Sequence, residues 1–392
     1  SHLTPDKVDY WFELGHWGSW DDDRNNKEKA FDEWLKMLPS QVGLEATPFP
    51  LEYQCPYRII DKAQEWLSSV SNDLPFFLWL SFPEPHNPYQ VPEPYFSMFP
   101  IEQLPPVKVG KEALRLKGFK WQWLRRFGEY VHPEYESLIP RARANYFGML
   151  RLIDDQIRRF IEFLEKIRRF NNTLIIFLSD HGDFVGEYGL LRKGLEVPEV
   201  LMRVPMFFVG PNVRSRIEPR EDFISIVDIM STICEMLDVS IPDGVQGRSL
   251  WPILNGYEYP RKEFESIYGE QGFGGLHYDE GYDYSFEEAL IRFPHIRIFD
   301  ELNGCTQSGW MRMVRKDKWK LVIDMQGSGQ LYNLETDPIE INNLYYKPEY
   351  KDIKCNMLEE LVVWILRMQD PLPGGDNSKY RMRRNPRNYW SI

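Results

Sequence analysis

Between Thr173 and Gly194 the chain reads TLIIFLSDHGDFVGEYGLLRKG, and this stretch limits what the chain can fold into. Leu174, Ile175, Ile176, Phe177 and Leu178 form a continuous apolar run, the type expected of a strand buried on both faces of a parallel sheet. The run ends abruptly in Ser179-Asp180-His181-Gly182, and Lys193 follows within a glycine-marked loop. Open α/β sheets place their active sites outside the carboxyl edge, where such a strand delivers its aspartate and histidine side by side. The pattern outlines a site for a metal and an anion.

The surroundings predict an α/β domain with a mostly parallel sheet flanked by helices. Helices are expected near Glu28–Met37, Tyr57–Val70 and Arg141–Arg169. In the last of these Tyr146, Leu150, Ile153, Ile157, Phe160, Leu164 and Ile167 recur at spacings of four and three. Strands are expected at Pro75–Phe82 and Val204–Val209, and a further helix at Asp222–Leu237. Six prolines from Pro83 to Pro100 rule out regular structure in the loop after the first strand. This main domain runs over residues 1–256. Residues 257–392 read as a smaller α+β subdomain: a long Gly-, Tyr- and Asp-rich loop over 268–310, an antiparallel meander (Trp310–Val314, Trp319–Asp324, Gly329–Leu334) and a helix near Lys354–Met368.

Bulk properties narrow the function. A formal net charge of −12 over 392 residues argues against a nucleic-acid partner, which needs a basic field. Any anionic substrate must then be drawn by a local cluster of cations. The four cysteines (Cys55, Cys234, Cys305, Cys355) contain no CxxC pair, so neither a zinc knuckle nor a disulfide framework is expected. No apolar run is long enough for a membrane span. The chain opens on Ser1-His2-Leu3, which reads as though an upstream part were left out, and no segment assigns a compartment.

Two strands end in related chemistry. Pro75–Phe82 leads through Pro83-Glu84-Pro85 to His86, and the later apolar run leads to Asp180 and His181. As parallel members of one sheet they would open onto one crevice, with Lys193 reaching it from the loop beyond. Singly, a histidine in a proline-rich loop and a lysine in a surface loop are ordinary structural residues. A carboxylate at the end of a buried strand is less so, because it needs a cation or donors.

Five segments, in order, resemble the sulfatases of the alkaline phosphatase superfamily. These are YFGMLRLIDDQIRRFIEFLE, SDHGDFVGEYGLLRKG, RVPMFFVGP, SIVDIMSTICEMLDVSIPDGVQGRSLWPIL and WKLVIDMQGSGQLYNLETDPIEINNL. The resemblance implies hydrolysis of a sulfate ester, on a carbohydrate or aryl substrate. It implies that Asp180 and His181 are metal ligands, that Lys193 binds the sulfate, and that His86 contacts the sulfate and protonates the leaving oxygen. His2 matches the histidine of a Lys-x-His unit that contributes to substrate binding. The implied cofactor is one divalent metal ion, Ca2+ first, with Mn2+ or Zn2+ expected of a phosphoesterase-type site.

The family's nucleophile, a formylglycine made from the cysteine of C-x-P-x-R, has no counterpart here. Cys55-Pro56-Tyr57-Arg58 has its proline one place early and reads as a helix start. The nucleophile is therefore expected upstream, the missing N-terminal segment is an expected partner, and the isolated chain is expected to be inactive. Two alternatives remain: a phosphodiesterase or phosphonate monoester hydrolase of the same superfamily, and a non-catalytic relative that binds sulfated glycans. Phe273, Tyr278, Tyr282 and Tyr284 would line a sugar subsite or pack. Basic strips at Arg141–Arg143 and Arg312–Lys320 would serve a polyanionic substrate.

Overall fold

The computed structural model describes residues 5–15, 25–38, 41–194, 196–242, 244–272, 309–368 and 387–389. Helix α1 (Asn26–Met37) opens with a capping box in which the Asn25 side chain accepts from the Lys27 and Glu28 backbone and Glu28 reaches back to the Asn25 N–H. Helix α2 (Cys55–Ser69) carries Pro56 in its first turn, where the missing N–H costs nothing. Helix α3 (Phe119–Val131) precedes the long helix α4 (Tyr135–Lys166).

The buried line of α4 is displaced from the purely apolar stripe. Leu138, Ala142, Asn145, Met149, Leu152 and Gln156 are buried while Leu150 is exposed. A polar residue takes a central place because it holds a loop: Asn145 Nδ2 donates to the carbonyls of Gly43 and Tyr89, at 2.8 and 2.9 Å. That grip brings Val42, Tyr89, Val91 and Tyr95 into one core with α4.

Strand β1 (Ile175–Leu178) pairs with β2 (Met206–Val209), Ile175 opposite Val209 and Leu178 opposite Met206. The pairing is antiparallel. The expected mostly parallel sheet is therefore not seen among the described strands, where the one parallel pairing is an isolated bridge between Val42 and Tyr89. A parallel return needs a crossover, usually a helix of some length. The connection from β1 to β2 holds only short helical turns, Glu187–Gly189 and Glu199–Met202, and doubles back. Residues 75–82 are extended but form no ladder among the described residues. Their burial alternates, and Phe77 and Trp79 stand 72% and 70% exposed.

Helix α5 (Asp228–Met236) follows, with Asp228 paired to Arg248 at 3.1 Å and both side chains buried. Beyond it β3 (Ser266–Gln271), β4 (Met311–Lys316), β5 (Trp319–Asp324) and β6 (Gly329–Asn333) form an antiparallel sheet in chain order. The meander is as expected, while β3 occupies the start of what the sequence presents as loop. Phe273, Tyr278, Tyr282 and Tyr284 lie outside the described residues. Helix α6 (Lys351–Arg367) covers one face through Met357, Leu361 and Trp364 against Val314, Leu321 and Leu331. The other face sets Met311, Met313 and Val322 against Val197 and Met202.

Lys320, fully buried, joins the two parts. It pairs with Glu199 at 3.1 Å and Glu340 at 2.8 Å and donates to the Val197 carbonyl. Arg315 makes a second contact with Glu199, at 2.5 Å. Buried charges survive only with such partners. No described helix is long and apolar enough to cross a membrane.

Candidate active site

The chain leaves β1 through Ser179, whose hydroxyl donates to the His181 carbonyl at 2.8 Å and tightens the turn. Asp180 projects outward, its side chain 83% exposed, with Oδ1 accepting the His181 N–H at 2.9 Å and Oδ2 3.5 Å from His181 Nε2. Gly182 lets the next segment approach. Its N–H donates to the Leu201 carbonyl at 2.8 Å, and a Cβ there would stand 1.9 Å from the Val200 carbonyl oxygen.

Lys193 returns to this turn. Its Nζ lies 2.8 Å from His181 Nε2. An ammonium can only donate, so Nε2 is the acceptor, and Nδ1–H donates to the Gly182 carbonyl at 2.8 Å. The tautomer follows: one ring nitrogen rests on a backbone carbonyl and the lone pair of the other faces the cation. The Nδ1–H contact is of the kind that orients metal-ligating histidines, while Nε2 is here engaged by Lys193. Asp180, His181 and Lys193, grouped in the sequence, are thus grouped in space. Among the described residues no cluster of three His, Cys, Asp or Glu side chains stands ready for a metal ion.

His86 sits in the proline-rich loop, half-buried, with Nδ1 2.8 Å from the Asn87 carbonyl. Two ties bind this loop to the one bearing Asp180. Tyr89 donates its hydroxyl to Asp183 Oδ2 at 3.0 Å, and Asp183 Oδ1 accepts the backbone N–H groups of Val185 and Arg192, at 2.8 and 2.9 Å. Burial pushes the Asp183 carboxyl above its ordinary range against these lowering contacts. The second tie runs through Asn87, Gln41 and Arg192. Asp183 was within reach of sequence reasoning as the second carboxylate of SDHGD; Gln41 carries no local signal. His2 lies outside the described residues.

Cys55 shares a small cavity of about 10 Å³ with Glu84, His86, Asn87 and Gln90. Its thiol is buried, and burial first, then the neighbouring Glu84, pushes it well above the usual thiol range. A reactive cysteine needs the reverse. Cys55 and Pro56 open α2, the helix start expected from the sequence.

The sulfatase family model matches residues 6–239: the chain belongs to the sulfatase family, within the alkaline phosphatase superfamily. It is similar to an arylsulfatase of Clostridium perfringens, 29% identical over 312 residues, which covers 78% of this chain and 56% of that protein. The chain thus spans little more than half the length of this relative. Among solved structures it resembles the phosphonate monoester hydrolase of Agrobacterium radiobacter, with a TM-score of 0.68 and 25% identity over 83% of this chain and 63% of the other. A protein solved in complex with its substrate D-glucosamine-2-N,6-O-disulfate shares the fold, with a TM-score of 0.59 and 20% identity over 81% of this chain and 70% of that one.

Proposed function

We propose that the complete protein is a sulfuric ester hydrolase acting on a sulfated small molecule or glycan, and that this chain supplies half of its active site. The observation that carries the reading is the convergence of Asp180, His181 and Lys193 at the end of β1, with Lys193 Nζ 2.8 Å from His181 Nε2. An exposed carboxylate fits one position of a divalent metal site, and the oriented imidazole fits a second once Lys193 turns from Nε2 to the sulfate. Two donors are fewer than such an ion takes, so further ligands come from the upstream segment. When bound, the metal would neutralise the non-bridging oxygens of the ester. Ca2+ is the first assignment.

The chain's own residues divide the remaining work. Lys193 holds a sulfate oxygen and stabilises charge that grows as the S–O bond breaks. The leaving oxygen departs with the bonding pair and takes a proton from His86, whose ring is held by Nδ1–H on the Asn87 carbonyl. Water supplies the oxygen that completes sulfate. The nucleophile of the family, formylglycine, is assigned to the upstream segment, because the Cys55 thiol is sealed and its proton firmly held. That segment is also the partner proposed for the exposed Phe77 and Trp79.

The test is turnover of 4-nitrophenyl sulfate by the complete gene product. Asp180→Ala and Lys193→Ala are each expected to lower kcat/KM by about 100-fold or more; parental rates in both would overturn the site. The likeness to a phosphonate monoester hydrolase, with an imidazole suited to Mn2+ or Zn2+, favours a second reading. Faster turnover of a phenyl phosphonate monoester than of the sulfate, restored after chelation by Mn2+ or Zn2+ and not by Ca2+, would select it. Binding of sulfated glycan without turnover would select the non-catalytic alternative.

A further inference from the structure

The groups assigned to chemistry come from two loops distant in sequence, and one buried amide fastens both. Gln41 Oε1 accepts from Asn87 Nδ2 and from the Arg192 guanidinium. Gln41, Asn87 and Arg192 are all buried. Asn87 directly follows His86, and its carbonyl holds the His86 ring. Arg192 directly precedes Lys193, and its backbone N–H is fixed on Asp183. The glutamine therefore grips the residue adjacent to each of two groups that must face one substrate.

The grip is costly in local terms. Gln41 adopts a left-handed backbone, φ 57°, which a residue with a side chain enters only when its surroundings impose it. Its carbonyl accepts the Tyr89 N–H at 2.8 Å, which fixes the same loop a second time. Gln41 Nε2 and Asn87 Oδ1 are sealed without a hydrogen-bond partner among the described residues. Buried polar atoms left unpaired oppose stability, and an apolar side chain at Gln41 would also remove the oxygen that accepts from Asn87 and Arg192.

We infer that Gln41 is a positioning residue that sets the separation of His86 from Lys193 by holding Asn87 and Arg192 on one oxygen. This rests on the proposed sulfate-ester site. In the complete gene product with 4-nitrophenyl sulfate, Gln41→Leu is expected to lower kcat about 10- to 100-fold with KM within about threefold, since misplacement by about 1 Å is costly. Gln41→Glu keeps the accepting oxygen and is expected to recover kcat to within about fivefold. Because part of the loss acts through His86, Gln41→Leu should slow the His86→Ala variant by a smaller factor than it slows the parent.

A Gln41→Leu kcat within about twofold of the parent, multiplicative losses in the double variant, or no recovery with Gln41→Glu would each overturn the inference. Should Gln41→Leu fail to fold, isosteric Asn87→Asp removes the Nδ2 donor and is read by the same criteria. A parental rate in His86→Ala would instead remove the sulfate-ester reading beneath it.

Discussion

The C-terminal sheet and the strands around β1 are made of similar residues and end in different states. In the sheet, Val314, Leu321 and Leu331 are wholly buried under α6. Around β1 the apolar run is only half-buried, β2 exposes Phe207 and Val209, and residues 75–82 expose Phe77 and Trp79. The difference lies in where the covering groups come from. Strands β4 to β6 and α6 are near neighbours in sequence and enclose one another. The segments that lead to the active-site loops are gathered from distant parts of the chain, and their outer faces are exposed among the described residues. Exposed apolar side chains such as Phe77 and Trp79 are what the proposal of an upstream partner segment draws on.

The largest effect should appear in the closed region. Leu321→Ala in β5 is expected to cost about 2–5 kcal/mol, because the cavity it leaves has no means to collapse between sheet and helix. Denaturant unfolding of the isolated chain checks this, and a loss below about 1 kcal/mol would mean the sheet is not the closed unit described.

A smaller effect belongs where the open segment enters the loop of His86. Burial lifts the Glu84 carboxyl to about 7. The folded chain there keeps a proton that the unfolded chain releases from the ordinary carboxylate range upward, so stability falls as pH rises to about 7 and then levels. Glu84→Gln removes this slope and should add up to about 3 kcal/mol near pH 8. A melting profile with the parental pH dependence would refute the assignment.

The smallest effect sharpens the contrast most. Trp79→Ser in the isolated chain should change stability by no more than about 0.5 kcal/mol, but in the complete gene product by about 2 kcal/mol, the worth of a buried aromatic. Equal values in the two forms would break the comparison.

Much of this was legible locally. Periodicity locates α4, α5 and α6, turn residues locate the meander, and an apolar run stopping at SDHG locates the cluster of Asp180, His181 and Lys193. Direction of pairing was not legible, because β1 and β2 read alike whether they run parallel or antiparallel. Helix α3 escaped because its aromatic residues, Trp121 and Trp123 among them, are buried on more than one side. The stripe on α4 misleads in its middle because Asn145 and Gln156 are buried there. Gln41 left no trace at all: its two partners lie 46 and 151 positions away, and only the folded chain brings them together.

The buried Lys320 has a consequence for dividing the molecule. Composition changes near residue 256, which invites an expression boundary there. Such a cut would strip Glu199 of both Lys320 and Arg315, leaving a stranded anion six positions beyond Lys193. The C-terminal sheet is in this sense a counterweight to the lysine loop, and the severed main domain would inherit a fault next to the residue it most needs to hold still.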